Sequence, residues 1–204
     1  MTDHWMKAAV LALFASTAPL AAQTSDTQTQ AQTGGGAASQ LDLGQPEGPQ
    51  LGERYAKEQS GDWTLACIKT EAETDPCSLL QLLKDENGNT LGEISLFRLE
   101  GGGQAVAGGT IIVPLETLLT AQVSIAVDGG QGKRYNYSFC TQLGCVAQIG
   151  FTEADIEAFR RGNSARVTIV PAPAPDQQVV LNMSLSGFTA GYDMVDVVQA
   201  NGGN

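Results

Sequence analysis

Residues 77–99 read CSLLQLLKDENGNTLGEISLFRL. Two apolar runs flank the pair Asn87–Gly88. Asn-Gly tolerates the positive φ angles that a two-residue type I′ turn demands, so the segment predicts a β-hairpin. Its first arm, Cys77–Lys84, is almost continuously apolar. Its second arm, Thr90–Leu99, breaks period two, which predicts a bulge near Gly92 or Glu93. An antiparallel hairpin in mid-chain sets the expected fold class, and the segments on both sides follow the same pattern.

Upstream, Thr64–Lys69 (TLACIK) reads as a strand. Downstream, Glu100–Gly109 (EGGGQAVAGG) reads as a flexible glycine loop, TIIVP as a strand ending at Pro114, and LETLLT as a helical turn. In Gln122–Asp128, Val123, Ile125 and Val127 alternate with Gln122, Ser124 and Ala126, the pattern of a half-buried strand. Asp128–Gly129 predicts a turn, KRYNYSF leads into Cys140, and CVAQIGF leaves from Cys145. Thr152 is positioned to cap a helix over EADIEAFRR, with Asp155 as its capping-box partner. In that helix Arg160 and Arg161 complement the C-terminal dipole and Gly162 serves as the C′ residue. SARVTIV and QVVLNMSLSGF are two further strands around PAPAPD. About nine short strands with one or two short helices predict a mainly β domain, a single antiparallel β-sandwich or distorted barrel. Helical patterns do not alternate with strands, which disfavours parallel α/β.

The chain has 204 residues, enough for one domain and flanking segments. MTDHWMKAAVLALFASTAPLAAQ carries Lys7 ahead of an apolar run, Ala8–Leu20, and small residues at Ala21 and Ala22. It predicts a signal peptide over 1–22, its run short of the ~20 apolar residues of a membrane span. No other segment is long and apolar enough to cross a membrane. Residues 23–60 are rich in Gln, Thr and Gly; such a tract buries too little apolar surface to offset ordering entropy and is expected to be a disordered leader. The β domain is then expected over 61–190, and a C-terminal tail with a short helix over 191–204.

The formal net charge is −11, from 22 acidic and 11 basic residues. That disfavours DNA, RNA or another polyanion as partner. The only histidine is His4, inside the expected signal. A mature chain without histidine excludes a Ser-His-Asp or Cys-His nucleophilic site and any His-ligated metal. Four cysteines occur, Cys67, Cys77, Cys140 and Cys145. In an exported chain an even count reads as disulfides, and four allow three pairings. Local pairing, Cys67 with Cys77 and Cys140 with Cys145, is the simplest; crossed pairing would constrain the chain more. A thioredoxin-like centre needs C-x-x-C at a helix N-terminus, and a four-cysteine zinc site needs two close knuckles. Cys140 and Cys145 lie between strands, and Cys67 and Cys77 are too far apart for a knuckle.

The glycine cluster lacks the strand–GxGxxG–helix setting of a dinucleotide site, and DENGN departs from the calcium-loop pattern at Gly88 and Leu96. Glu153, Asp155 and Glu157 complement a helix N-terminus. Tyr135, Tyr137 and Phe139 alternate along one strand face; half-core packing is the ordinary reading and an exposed recognition stripe the alternative. A carboxylate-dependent glycan hydrolase would need two acids facing one cleft, with Asp128, Glu93 and Glu116 the first to consider. No catalytic, cofactor or metal constellation emerges from the residues themselves.

The order of landmarks resembles the invasion-associated locus B family of alphaproteobacterial exported proteins. From Asp62 to Phe188 they are Asp62-Trp63 and Cys67, then Cys77, Pro114-Leu115, the Val-rich run ending at Asp128, and C-x3-GC at Cys140, Gly144 and Cys145. The helix ending at Gly162 and S-L-S-G-F at Ser184–Phe188 complete the set. Gln122 stands where the family usually has Gly. The family has no agreed enzymatic activity, and its name comes from host-cell entry. The resemblance, the signal and the cysteines together imply a non-enzymatic envelope protein of the periplasm, with outer-membrane association or secretion as further stations. Its expected partner is another envelope or surface protein. A small-ligand carrier is a further alternative, which would require a large apolar interior cavity.

Overall fold

The computed structural model describes residue 44 and residues 47–101 and 103–200. The signal expected over 1–22, and the leader as far as residue 43, lie outside the described residues. The strands are β1 (Arg54–Ser60), β2 (Trp63–Ile68), β3 (Cys77–Lys84), β4 (Thr90–Glu100), β5 (Ala107–Val113) and β6 (Val123–Val127). They continue with β7 (Lys133–Tyr135), β8 (Phe139–Thr141), β9 (Gly144–Phe151), β10 (Ser164–Ile169), β11 (Val179–Ser184) and β12 (Val197–Gln199). Helix α1 (Glu153–Arg161) precedes β10, and helix α2 (Phe188–Met194) follows β11.

Nine strands follow one continuous path, β7-β6-β10-β11-β3-β4-β5-β9-β8. Its two ends do not pair, so the curled antiparallel sheet is a half-barrel, the open form of the expected barrel. The hairpin read from residues 77–99 is β3–β4, but its turn is longer than the expected two-residue one: the Asp85 N–H donates to the Asn89 carbonyl around Glu86, Asn87 and Gly88, and of these only Gly88 has a positive φ (84°). Its register shifts between Leu83 opposite Gly92 and Lys84 opposite Thr90, so Leu91 is the extra residue of the bulge.

β3 is where the sheet forks. One edge pairs with β4. The other pairs with β2 over Cys77–Leu80 and with β11 only at Lys84. Gln81 lies at the split and is 6 % exposed. Its Nε2 donates to the carbonyls of Asp62 (3.2 Å) and Ser184 (3.0 Å), and its Oε1 accepts from the Ser184 N–H (2.8 Å). A buried carboxamide is tolerated because its hydrogen-bonding atoms are matched.

The core fills the concave side. β3 alternates buried Leu79, Gln81 and Leu83 with more exposed Leu80, Leu82 and Lys84. Helix α1 forms with the expected Thr152–Asp155 capping box and buries Ile156 and Phe159. A run of edge-to-face ring contacts links Tyr135, Phe151, Phe159, Phe188 and Trp63 at centroid distances of 5.4–6.3 Å. Such pairs add about 0.5–1.5 kcal/mol each beyond their buried area.

Four boundaries differ from expectation. The leader does not reach residue 60, because Arg54–Ser60 forms β1 against β2. Its residues are polar because β1 is an edge strand; a bulge at Lys57 and the charges of Lys57 and Glu58 guard that edge. The glycine segment is not all loop. Gly108 and Gly109 belong to β5, where an added Cβ would lie 2.3 Å from the Phe97 ring and 2.6 Å from the Phe151 ring. The terminal helix starts at Phe188, inside the segment read as a strand, and is followed by β12, which pairs in parallel with Arg98–Glu100. The folded part therefore extends beyond 190. Gly162 is not a left-handed cap (φ −75°); space requires it, since an added Cβ would lie 2.6 Å from Val127 and 2.7 Å from Leu185.

Candidate functional site

The structure joins Cys67 to Cys77 and Cys140 to Cys145, and no cysteine among the described residues is free. Each disulfide crosses one rung of neighbouring antiparallel strands. The loop of the first is knotted by Asp75. Its carboxylate accepts from the Thr70 N–H (2.8 Å), the Thr70 hydroxyl (3.1 Å), the Tyr55 hydroxyl (2.8 Å) and Lys69 Nζ (3.2 Å). These bonds, the Thr70 N–H foremost, lower its pKa to about 2. They stabilise the charged form, as hydrogen bonds to a carboxylate do.

The opening and closing landmarks of the sequence meet one another. Asp62 accepts from the Ser184 hydroxyl (2.5 Å), and Trp63 Nε1 donates to the Ser184 carbonyl (2.9 Å). Gly187 is left-handed (φ 83°), and an added Cβ there would lie 2.1 Å from the Ser60 carbonyl. The landmarks form a structural clasp at the fork.

Two of the three acids considered for hydrolysis are engaged in structural contacts. Glu93, on β4, accepts from Arg54 Nη1 at 2.9 and 3.0 Å. Asp128, after β6, accepts from the backbone N–H groups of Asn163 and Ser164, which lower its pKa. Glu116 is exposed on the β5–β6 connection. Tyr135 and Tyr137 are half-buried, and burial pushes both hydroxyls up to about 12. Among the described residues no three His, Cys, Asp or Glu side chains are grouped to hold a metal ion. No described helix is long and apolar enough to cross a membrane.

What the register does assemble is an apolar face on the convex side. Leu82 pairs with Glu93, Glu93 with Ile112, Ile112 with Val146, and Val146 with Phe139. Opposed residues share a face, so this row runs outward across five strands. Val146 is buried yet lies outside the core cluster. Leu82 is 51 % exposed, Phe139 49 %, Leu115 54 % and Leu143 86 %. A groove of about 400 Å³ runs through this face, lined in part by Leu82, Leu91, Ile112, Pro114 and Leu143. The Arg54–Glu93 ion pair is its charged element. The opposite half of the convex side is more polar: Val180, Thr168, Ser124 and Arg134 form one row, and Asn182, Arg166 and Ala126 another.

Of the three aromatics on the suspected stripe, Phe139 alone is on this exposed face. Sequence reading missed Leu82, Leu115 and Leu143. One signal was available: Leu143 occupies a tight turn between β8 and β9, where a polar residue is the norm.

The family described as Invasion associated locus B (IalB) protein matches residues 63–196. The chain is 25 % identical over 147 residues to the Invasion protein B homolog of Brucella abortus (strain 2308), covering 72 % of this chain and 83 % of that protein. The same figures hold for the homolog of Brucella abortus biovar 1 (strain 9-941). The crystal structure of invasion associated protein B from Bartonella henselae shares the fold, with a TM-score of 0.56, 22 % identity, and coverage of 67 % of this chain and 91 % of that one. The match spans both disulfides and the strands of the apolar face: the chain belongs to the invasion associated locus B family.

Proposed function

We propose that the protein is a non-enzymatic interaction module of the periplasm or cell surface that binds another envelope protein. The observation that carries this reading is the convex apolar face around Leu82, Phe139 and Leu143. Contiguous exposed apolar surface beside an otherwise polar sheet marks a contact site. Two disulfides suit the oxidising compartment in which such a protein would act. The relatives' name, invasion protein B, is consistent with work outside the cytoplasm. The carrier alternative loses ground because Trp63, Phe151, Phe159 and Phe188 fill the concave side.

A photo-crosslinking residue at Leu143 should join the protein to one stoichiometric partner in the native envelope. The same residue at Thr168, on the polar half, should not. Capture of nothing at Leu143, together with turnover of a cell-wall glycan by the purified chain, would reverse the reading.

A further inference from the structure

The two disulfides differ in what surrounds their sulfurs. Cys67 is fully buried and Cys77 is 9 % exposed. Their rung lies within the sheet, since β2 pairs with β1 on one edge and with β3 on the other. The loop they close carries exposed Glu71 and Glu73 and the hydrogen-bonded Asp75, against Lys69 alone. Disulfide exchange begins with attack by a thiolate, and this loop both covers the bond and repels an anion.

Cys140 and Cys145 stand in the reverse setting. Cys140 is exposed on β8, the last strand of the sheet path, whereas Cys145 is 1 % exposed and belongs to the core. Residues 135–152 contain no Asp, Glu, Lys or Arg. Neither does β5, the other neighbour of β9, and Glu116 is the first acid after it. Among the described strands β8 pairs with β9 alone, through Phe139 with Val146, Cys140 with Cys145, and Thr141 with Gly144. Cys145 Sγ lies 3.9 Å from the Leu115 carbonyl oxygen, an acceptor for a thiol formed there. Exposed disulfides are the labile ones, and a short strand at a sheet edge opens at little cost.

We infer that Cys140–Cys145 is a thiol-exchange site whose co-reactant is a dithiol, and that opening it releases β8 from the sheet. A thiolate of the dithiol bonds to Cys140 Sγ, the sulfur of the exposed residue. The bond to Cys145 Sγ breaks, and Cys145 leaves with the electron pair and takes up a proton. The second thiolate of the reductant then attacks its own sulfur in the mixed disulfide and frees Cys140. The protein disulfide has gained two electrons and two protons, and the dithiol has become a disulfide. Successive strand residues face opposite ways, so Phe139 projects to the convex face while Cys140 faces the other. A freed β8 carries Phe139 out of the row it shares with Leu82, Ile112 and Val146. The exchange step stands on the setting of the disulfide alone; its effect on the apolar face rests on the interaction reading above.

The test reduces the native full chain with dithiothreitol, quenches samples with iodoacetamide at intervals, and maps the alkylated cysteines by mass spectrometry. Cys140 and Cys145 should be labelled at least about tenfold faster than Cys67 and Cys77. In denaturant that gap should close; a gap that persists there would assign the difference to local sequence and overturn the structural account. The monothiol 2-mercaptoethanol should leave its mixed disulfide on Cys140. Equal rates in the native chain, faster labelling of Cys67 and Cys77, or a mixed disulfide on Cys145 would each defeat the exchange site. In the selectively reduced chain, with Cys67–Cys77 intact, the Phe139–Thr141 amides should lose protection from hydrogen exchange while Leu79–Leu83 keep theirs. Unchanged protection at Phe139–Thr141 would rule out the release of β8. Photo-crosslinking from Leu143 in envelope extract should fall severalfold on selective reduction, and an undiminished yield would refute the effect on the apolar face. Absence of crosslinks in both states fails the interaction reading, while the labelling ratio still decides the exchange site.

Discussion

The carboxamide of Gln81 stands in for a strand rung against Ser184, accepting from its N–H at 2.8 Å and donating to its carbonyl at 3.0 Å. The side chain bridges the gap where β2 and β11 part from β3. Replacing it by leucine keeps the bulk and orphans the buried Ser184 N–H, at a cost of about 1–3 kcal/mol. Gln81→Leu should therefore lower the urea midpoint without changing the slope. Gln81→Glu keeps the acceptor but sets a carboxylate against two carbonyls, so its deficit should shrink as pH falls and the acid protonates. A loss below about 0.5 kcal/mol for Gln81→Leu would show that the fork holds without this link.

Gln122 has φ 64° and ψ 163°, a region that glycine alone occupies freely. Its Nε2 donates to Asn136 Oδ1 at 2.8 Å, an exposed bond that offsets part of the strain. Gln122→Gly should stabilise the fold by about 1 kcal/mol in chemical unfolding. Gln122→Val, which adds β-branching at positive φ, should destabilise it.

The two disulfides close loops of sequence separation 10 and 5. On the chain-entropy account they contribute about 3 and about 2 kcal/mol. Replacing Cys140 and Cys145 by Ser should therefore cost less than replacing Cys67 and Cys77. It should also loosen β8, held by three residue pairs to β9, before the rest of the sheet. Hydrogen exchange of the Phe139–Thr141 amides reports the local loss, and thermal unfolding reports the ranking.

Asp75 titrates in the fold at about 2, against about 3.9 in an unfolded chain. A lowered carboxylate contributes its stability above the unfolded value and loses it as pH falls through the folded one. The thermal midpoint should accordingly drop between about pH 4 and pH 2. Asp75→Asn should lower the midpoint at neutral pH and flatten that acid limb. An unchanged limb would assign acid sensitivity to other carboxylates.

Strands with strong local punctuation were legible from sequence, as the β3–β4 hairpin shows: Asn87–Gly88 marks its turn without help from the rest of the fold. Helix α1 was legible for the same reason, through Thr152 and Asp155. β1 was not, because an edge strand that buries little has a composition like that of a leader. Gly108 and Gly109 read as flexibility, yet they are small so that Phe97 and Phe151 can lie over them. The apolar face was illegible for a deeper reason. Leu82, Ile112 and Phe139 are scattered along the chain and become neighbours only when the register across five strands is known.

The clasp between Ser60 and Gly187 bears on how the protein acquires its structure. Ser60 Oγ donates to the Gly187 carbonyl across 127 positions, and Trp63 Nε1 reaches Ser184 across 121. Contacts of such sequence separation make folding slow, because the intervening loop must close before they form. A chain emerging from synthesis can pair β1 with β2 and β2 with β3, but Trp63 and the open edge of β3 wait for their partners until residues 182–188 arrive. Maturation of this domain is thus a late, all-at-once event, and its early strands are exposed to misassociation for the whole interval.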